Sequence, residues 1–232
     1  MVPDTDRGEW GLRSNAIVVL VSAVGALAVG LALGALLFGG SRSKTSSSTT
    51  GSAKPTAADT RPISLPASLG GFEDVLSAEA AKGAKASLIA ARKRHEATVA
   101  AATVAAYSRA YGGVSAAYHA YADDTLLRLP YVIAVRAGAP GLTIGPVIDA
   151  KYLGLATPTR EVKTVGSVQC QVDWSPPTVA GQTPPDSSEL VVGCQRSGRG
   201  LTVFTNGGGF SGQRGLDAMV GLTNAAWSAA SG

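Results

Sequence analysis

The chain has 232 residues, of which 45% are hydrophobic and only 16% charged, with a formal net charge of +4 and a mean hydropathy of +0.18. That length accommodates one domain of ordinary size plus appendages. The 29 glycines and 12 prolines follow no period, which excludes a collagen-like chain. The mild positive charge comes without a basic stripe interleaved with aromatics, which excludes a nucleic-acid binder.

Residues 1–15 are short and polar and read as a cytoplasmic tail. Residues 16–38 carry no charge, and Ser22 is their only polar side chain. As a helix this run spans about 35 Å, enough to cross a hydrocarbon core of about 30 Å with some tilt. A cleaved signal peptide has a shorter apolar region and a small-x-small cleavage site. Here Gly39-Gly40-Ser41-Arg42 follows, so the segment reads as a retained single-pass anchor. Ser22, Ala26, Gly30 and Gly34 recur every four residues. Such a stripe of small residues lets two helix backbones approach closely, so the implied partner is a second copy or another membrane protein. Arg7 and Arg13 before the segment balance Arg42 and Lys44 after it, so charge alone does not orient it.

Residues 39–61 are Ser/Thr-rich with almost nothing to bury, and read as a disordered tether. Folded structure is expected over 62–232, with an extended entry punctuated by Pro66, Gly70 and Gly71. Residues 77–111 are helical in pattern. Ser77 stands where an N-cap is needed, Glu79 in the first turn, and Gly112-Gly113 at the stop. Leu88, Ala91, His95, Val99, Ala102 and Ala106 form a stripe at three-four spacing, and Gly83 marks a break point. The run Arg92-Lys93-Arg94, with Lys82 and Lys85 upstream, reads as a solvated helix face; attraction to an anionic membrane or envelope polymer is its functional alternative.

Strand patterns follow at 114–122, 131–136, 165–174, 189–195 and 201–205, with an irregular Gly/Pro-rich stretch at 137–158. A helical pattern at 216–230 closes the chain. The predicted fold class is α+β: a long Ala-rich helix packed on an antiparallel sheet, with a C-terminal helix alongside. The faces of 168–174 and 190–194 are the expected partners of the long helix.

The two cysteines are Cys170 and Cys194. Alternation puts Val168, Cys170, Val172 and Trp174 on one face of their strand, and Leu190, Val192 and Cys194 on one face of theirs. Pairing Cys170 with Cys194 in an antiparallel hairpin then sets Val172 opposite Val192 and Trp174 opposite Leu190. The sulfurs become cross-strand neighbours, within reach of a disulfide. A disulfide persists in an oxidising compartment, so it orients the chain with the N-terminus in the cytoplasm and the C-terminal domain outside. Two packed free thiols would satisfy the same alternation.

Little else carries chemistry. His95 lies in the long helix and His119 in a strand between Tyr118 and Tyr121. Asp123 and Asp124 read as a turn and helix cap, with a cation site or catalytic pair as the alternative. No serine has a G-x-S-x-G context. Gly207, Gly209 and Gly212 match G-x-G-x-x-G between a strand and a helix, but no second parallel strand or acidic ribose ligand follows. They read as a strand-to-helix loop, with an anion site as the alternative. No catalytic residue, cofactor or metal site is assigned. The best functional expectation is a non-catalytic binding module. The rivals are an enzyme acting on an envelope component with a site near His119, Asp123 and Asp124, and a sensor that needs a membrane partner.

The stretch VGSVQCQVDWSP, continued by SSELVVGCQRSGRGLTVFT and a closing helix ending in AAWSAA, resembles the extracytoplasmic domains of uncharacterised membrane-anchored proteins of actinobacteria. The likeness covers about half the chain, including the LPASLGGF entry. It implies the anchored topology and a disulfide, and no activity. A reporter fused after Ser231 is expected on the extracytoplasmic side; recovery of its signal in the cytoplasm overturns the orientation.

Overall fold

A computed structural model describes residues 58–232. The 16–38 segment, its stripe of Ser22, Ala26, Gly30 and Gly34, and nearly all of the 39–61 stretch lie outside the described residues. Among those described, no helix is long and apolar enough to cross a membrane.

The entry segment folds into a hairpin, β1 (Ser68–Leu69) and β2 (Phe72–Asp74), turned by Gly70 and Gly71, both at positive φ. Helix α1 (Val75–Ala81) follows directly. Its N-cap is Asp74, which accepts from the Ser77 amide at 2.9 Å; Ser77, expected as the cap, sits three residues inside. The chain breaks at Gly83 (φ +81°), as its position suggested, and resumes as α2 (Ala86–Ala110). Glu79 therefore belongs to the end of α1 and not to a first turn, and it pairs with Arg92 of α2 at 3.0 Å.

The remaining strands are β3 (Ala116–Ala122), β4 (Leu129–Val135), β5 (Arg160–Val165), β6 (Val168–Trp174), β7 (Glu189–Gly198) and β8 (Leu201–Gly208), closed by α3 (Gly212–Ser231). Strand β5 was hidden in the sequence by the strand pattern at 165–174. Gly166, at positive φ, ends one strand and the next begins at Val168. All eight strands form one antiparallel sheet in the order β1-β2-β3-β4-β8-β7-β6-β5.

Two helices cover opposite faces of this sheet. Helix α3 buries Leu216, Met219, Leu222, Ala226 and Ala230 at three-four spacing against Val132, Val168, Cys170, Val172, Val191, Cys194 and Val203. Inside this contact Thr223 and Thr205 share a hydrogen bond of 2.7 Å, so both buried hydroxyls are satisfied. Helix α2 lies across β3 and β4 on the other face, where Ile133, Val135 and Phe204 meet Tyr107 and Tyr111. The expectation that the long helix covers the cysteine-bearing strands is thus corrected: the C-terminal helix does so.

The stripe assigned to α2 is corrected as well. None of its residues is fully buried, and Leu88, Ala91, His95, Ala102 and Ala106 are exposed. Ile89, Arg92, Glu96, Ala100, Thr103 and Tyr107 are half-buried instead, about one residue round the helix, and of the predicted stripe Val99 alone is half-buried with them. Alanine on nearly every side gives the helix little apolar contrast, so the two tyrosines near its end fix its rotation.

Cys170 and Cys194 are paired in register and joined by a disulfide, with their Cα atoms 4.0 Å apart. Beyond them the predicted register fails. A β-bulge leaves Val192 as the extra residue, so Val172 meets Val191 and Trp174 meets Glu189. Leu190 and Val192 turn to the outer face and are exposed. Gly193 permits the bulge, because a Cβ there would collide with the Asn206 side chain. The disulfide closes a separation of 24 residues, worth about 3 kcal/mol on the chain-entropy account. Reduction is expected to lower the melting temperature by about 10 °C, and alkylation without reductant is expected to label neither cysteine in mass spectrometry of native protein.

Candidate functional site

The sequence candidates do not converge. His119 Nε2 lies 3.1 Å from Asp74 Oδ2, without the alignment of a hydrogen bond. Its groove, about 230 Å³, is lined by Asp74, Glu96 and Tyr118 but by neither Asp123 nor Asp124. Asp123 follows β3, where its Oδ1 accepts the amides of Leu127 at 3.0 Å and Arg128 at 3.2 Å and its Oδ2 accepts the Thr125 hydroxyl. Burial alone would raise this carboxyl, but the bonds from Arg128, Thr125 and Leu127 hold it below its usual range. It organises a turn between β3 and β4, and no helix follows for it to cap. Asp124 is exposed. Among the described residues no group of His, Cys, Asp and Glu is placed to hold a metal ion.

The glycine-rich loop serves packing. A Cβ on Gly207 would come within 2.6 Å of the Pro130 backbone, and one on Gly209 would strike the Leu127 carbonyl. The N-terminus of α3, where an anion would sit, is taken by the protein's own Asp186, which accepts the Gln213 amide at 3.2 Å.

What the fold does assemble is a cleft of about 400 Å³ at the C-terminal end of α3, lined by Arg61, Arg136, Arg196, Arg199, Leu201, Trp227, Ser228 and Ser231. The four arginines come from four places. Arg61 lies in the entry segment and Arg136 directly follows β4. Arg196 points from β7 to the α3 side, and Arg199 tips the β7–β8 hairpin.

Each guanidinium is held differently. Arg61 clasps Asp59 through Nε at 3.0 Å and Nη2 at 2.7 Å. Arg196 donates to Asn224 Oδ1 at 2.7 Å and lies over the Trp227 ring, 4.7 Å from its centroid. Arg136 is only 8% exposed, its Nε has no hydrogen-bond partner, and its guanidinium reaches only the Pro62 carbonyl, at 3.4 Å. Among the described residues, Arg136, Arg196 and Arg199 form no ion pair. The C-terminal end of α3 offers about half a negative charge, which offsets only part of three cations.

Arg199 has a further peculiarity. With Gly200 it makes a two-residue hairpin turn in which both residues have positive φ, 47° and 70°. Asn-Gly suits such a turn; arginine in that conformation costs about 1 kcal/mol. The hairpin thereby sets a cation at the rim of the cleft at the expense of stability.

No run or spacing in the sequence announces this cluster. Its members lie as far apart in the chain as Arg61 and Arg199 and meet only because β4, β7 and the entry segment end at the same pole. The sequence's dense basic run, Arg92 to Arg94, lies elsewhere, on α2. No family model, curated protein or solved structure matches this chain.

The Arg61 guanidinium, hydrogen-bonded to the Asp59 carboxylate, holds that group down at about 2; the Arg61 amide and the charge of Arg136 act in the same direction. A carboxylate depressed in the folded state contributes stability above its unfolded value near 4 and loses it as pH falls toward 2. Carboxyl-carbon NMR is expected to find the Asp59 midpoint at about 2. In R61Q it is expected to rise toward the usual carboxylate range, and an unmoved midpoint would contradict the clasp.

Proposed function

We propose that this protein is a membrane-tethered, extracytoplasmic, non-catalytic binding module, and that it takes an anionic group in the arginine cleft. The anchor at 16–38, the tether and the outward orientation are part of this proposal, as is the likeness to anchored actinobacterial ectodomains. The observation that carries it is Arg136. Its guanidinium is buried, its one hydrogen bond goes to the Pro62 carbonyl, and the nearby Asp59 carboxylate is already clasped by Arg61, so an incoming anion supplies the direct partner it lacks. Arg196 and Arg199 add donors on either side. Guanidinium forks match the paired oxygens of phosphate and carboxylate groups, which suits recognition. His119 and the Asp123 turn supply no comparable focus for an enzyme: His119 has Asp74 beside it without hydrogen-bond alignment, and Asp123 spends its oxygens on the Leu127 and Arg128 amides and the Thr125 hydroxyl.

Calorimetric titration of the full chain in neutral detergent with inorganic pyrophosphate tests the reading. The wild-type chain is expected to bind, more weakly as salt is raised. Loss of one charge-assisted contact is worth about 1.5–3 kcal/mol, so R136Q and R199N should each bind at least about tenfold more weakly. R199N creates the Asn-Gly turn that the hairpin geometry favours, so its melting temperature should hold or rise by about 2 °C while affinity falls. Wild-type protein that binds no pyrophosphate, or an R199N variant that binds as well as wild type, would sink the proposal.

A further inference from the structure

Resting on that reading, we infer that the anion the cleft takes is the phosphodiester of an anionic lipid headgroup in the same leaflet that the tether leaves. The chain enters its folded unit at the cleft itself. Asp59 and Arg61 form a clasp there, Arg136 reaches the Pro62 carbonyl, and the Ser115 amide binds the Asp59 carbonyl at 2.9 Å. The last residues of the tether therefore form one lip of the site. Residues 39–58 separate Phe38 from that lip, so its reach has a contour limit of about 70 Å. Headgroups are the phosphates that such a short tether keeps at high effective concentration.

Charge on the approach agrees. Residues 39–58 carry Arg42, Lys44 and Lys54 and no carboxylate, so the tether itself is drawn to an anionic surface. The chemistry of the lip selects further. Asp59 pairs with Arg61 and leaves Arg136, Arg196 and Arg199 to face the phosphodiester. Two non-bridging oxygens can engage Arg136 on the floor and Arg199 at the rim. Trp227, whose ring carries Arg196, supplies the amphipathic surface that suits the headgroup region.

The test uses the full chain in lipid nanodiscs and reads amide hydrogen exchange by mass spectrometry at residues 58–65 and 196–201. Discs with roughly a third of phosphatidylglycerol are compared with pure phosphatidylcholine discs, the latter with and without about 5 mM inorganic phosphate. The inference expects exchange at both sites to slow at least about threefold in the anionic discs, and expects this to vanish in R136Q and R199N. Unchanged exchange in β6 and in residues 189–195 of β7 certifies that each variant is folded, and R199N alone decides if R136Q is not. Slowing by inorganic phosphate but not by phosphatidylglycerol overturns the lipid assignment and leaves anion binding standing. Slowing that survives in R199N overturns the role of the cleft, since tether charge alone would then explain it. No slowing in any condition overturns both the inference and the reading beneath it.

Discussion

Helix α3 buried against the β4, β8, β7 and β6 face is the contact on which the other features depend. Met219, Leu222 and Ala226 fill the space above Val172, Cys170 and Val203, and no polar atom there is wasted because Thr223 meets Thr205. This contact settles where β7 must present its side chains. It also puts the C-terminal turn of α3 beside the ends of β4 and β7. The arginine cleft is a by-product of that alignment: the sheet extends past the apolar part of α3, and what it presents beyond is Arg136 and Arg196.

Within that frame the disulfide and the bulge act together. The bond joins β6 to β7 at one register position. One residue further along, the bulge changes which β7 side chains point inward, delivering Val191 to the core and Glu189 to Lys163 at 2.8 Å. Trp174 then donates to Glu161 at 3.0 Å, under the Lys163 ammonium, and these four residues close the outer edge of the sheet. A buried glutamate is tolerated because its lysine is in place.

The legibility of the sequence varied with the physics of each signal. Alternation in β6 and the three-four spacing in α3 were readable because one face of each is apolar and the other polar. The disulfide partners followed from the same alternation. The bulge was not readable, since Gly193 reveals itself only through its collision with Asn206 on the neighbouring strand. The rotation of α2 was obscured by its uniform alanine content. The arginine cleft left no trace in local sequence, because its members are brought together by strand order. Of the glycines at 207, 209 and 212, expected in a strand-to-helix loop, only Gly209 lies there; Gly207 belongs to β8 and Gly212 opens α3, and all three answer to the close approach of Pro130, Leu127 and Asp186.

The two helical layers make unequal demands on the genes that encode them. Helix α3 is dry along one side, and nearly every inward position there is held to a narrow range of volumes. Helix α2 buries no side chain completely and keeps its place through a few half-covered contacts and the rings of Tyr107 and Tyr111. Most of its surface is therefore free to drift among good helix formers. Divergence between related chains should accumulate over residues 86–106 long before it touches residues 215–230, so α2 records ancestry poorly and α3 records it well.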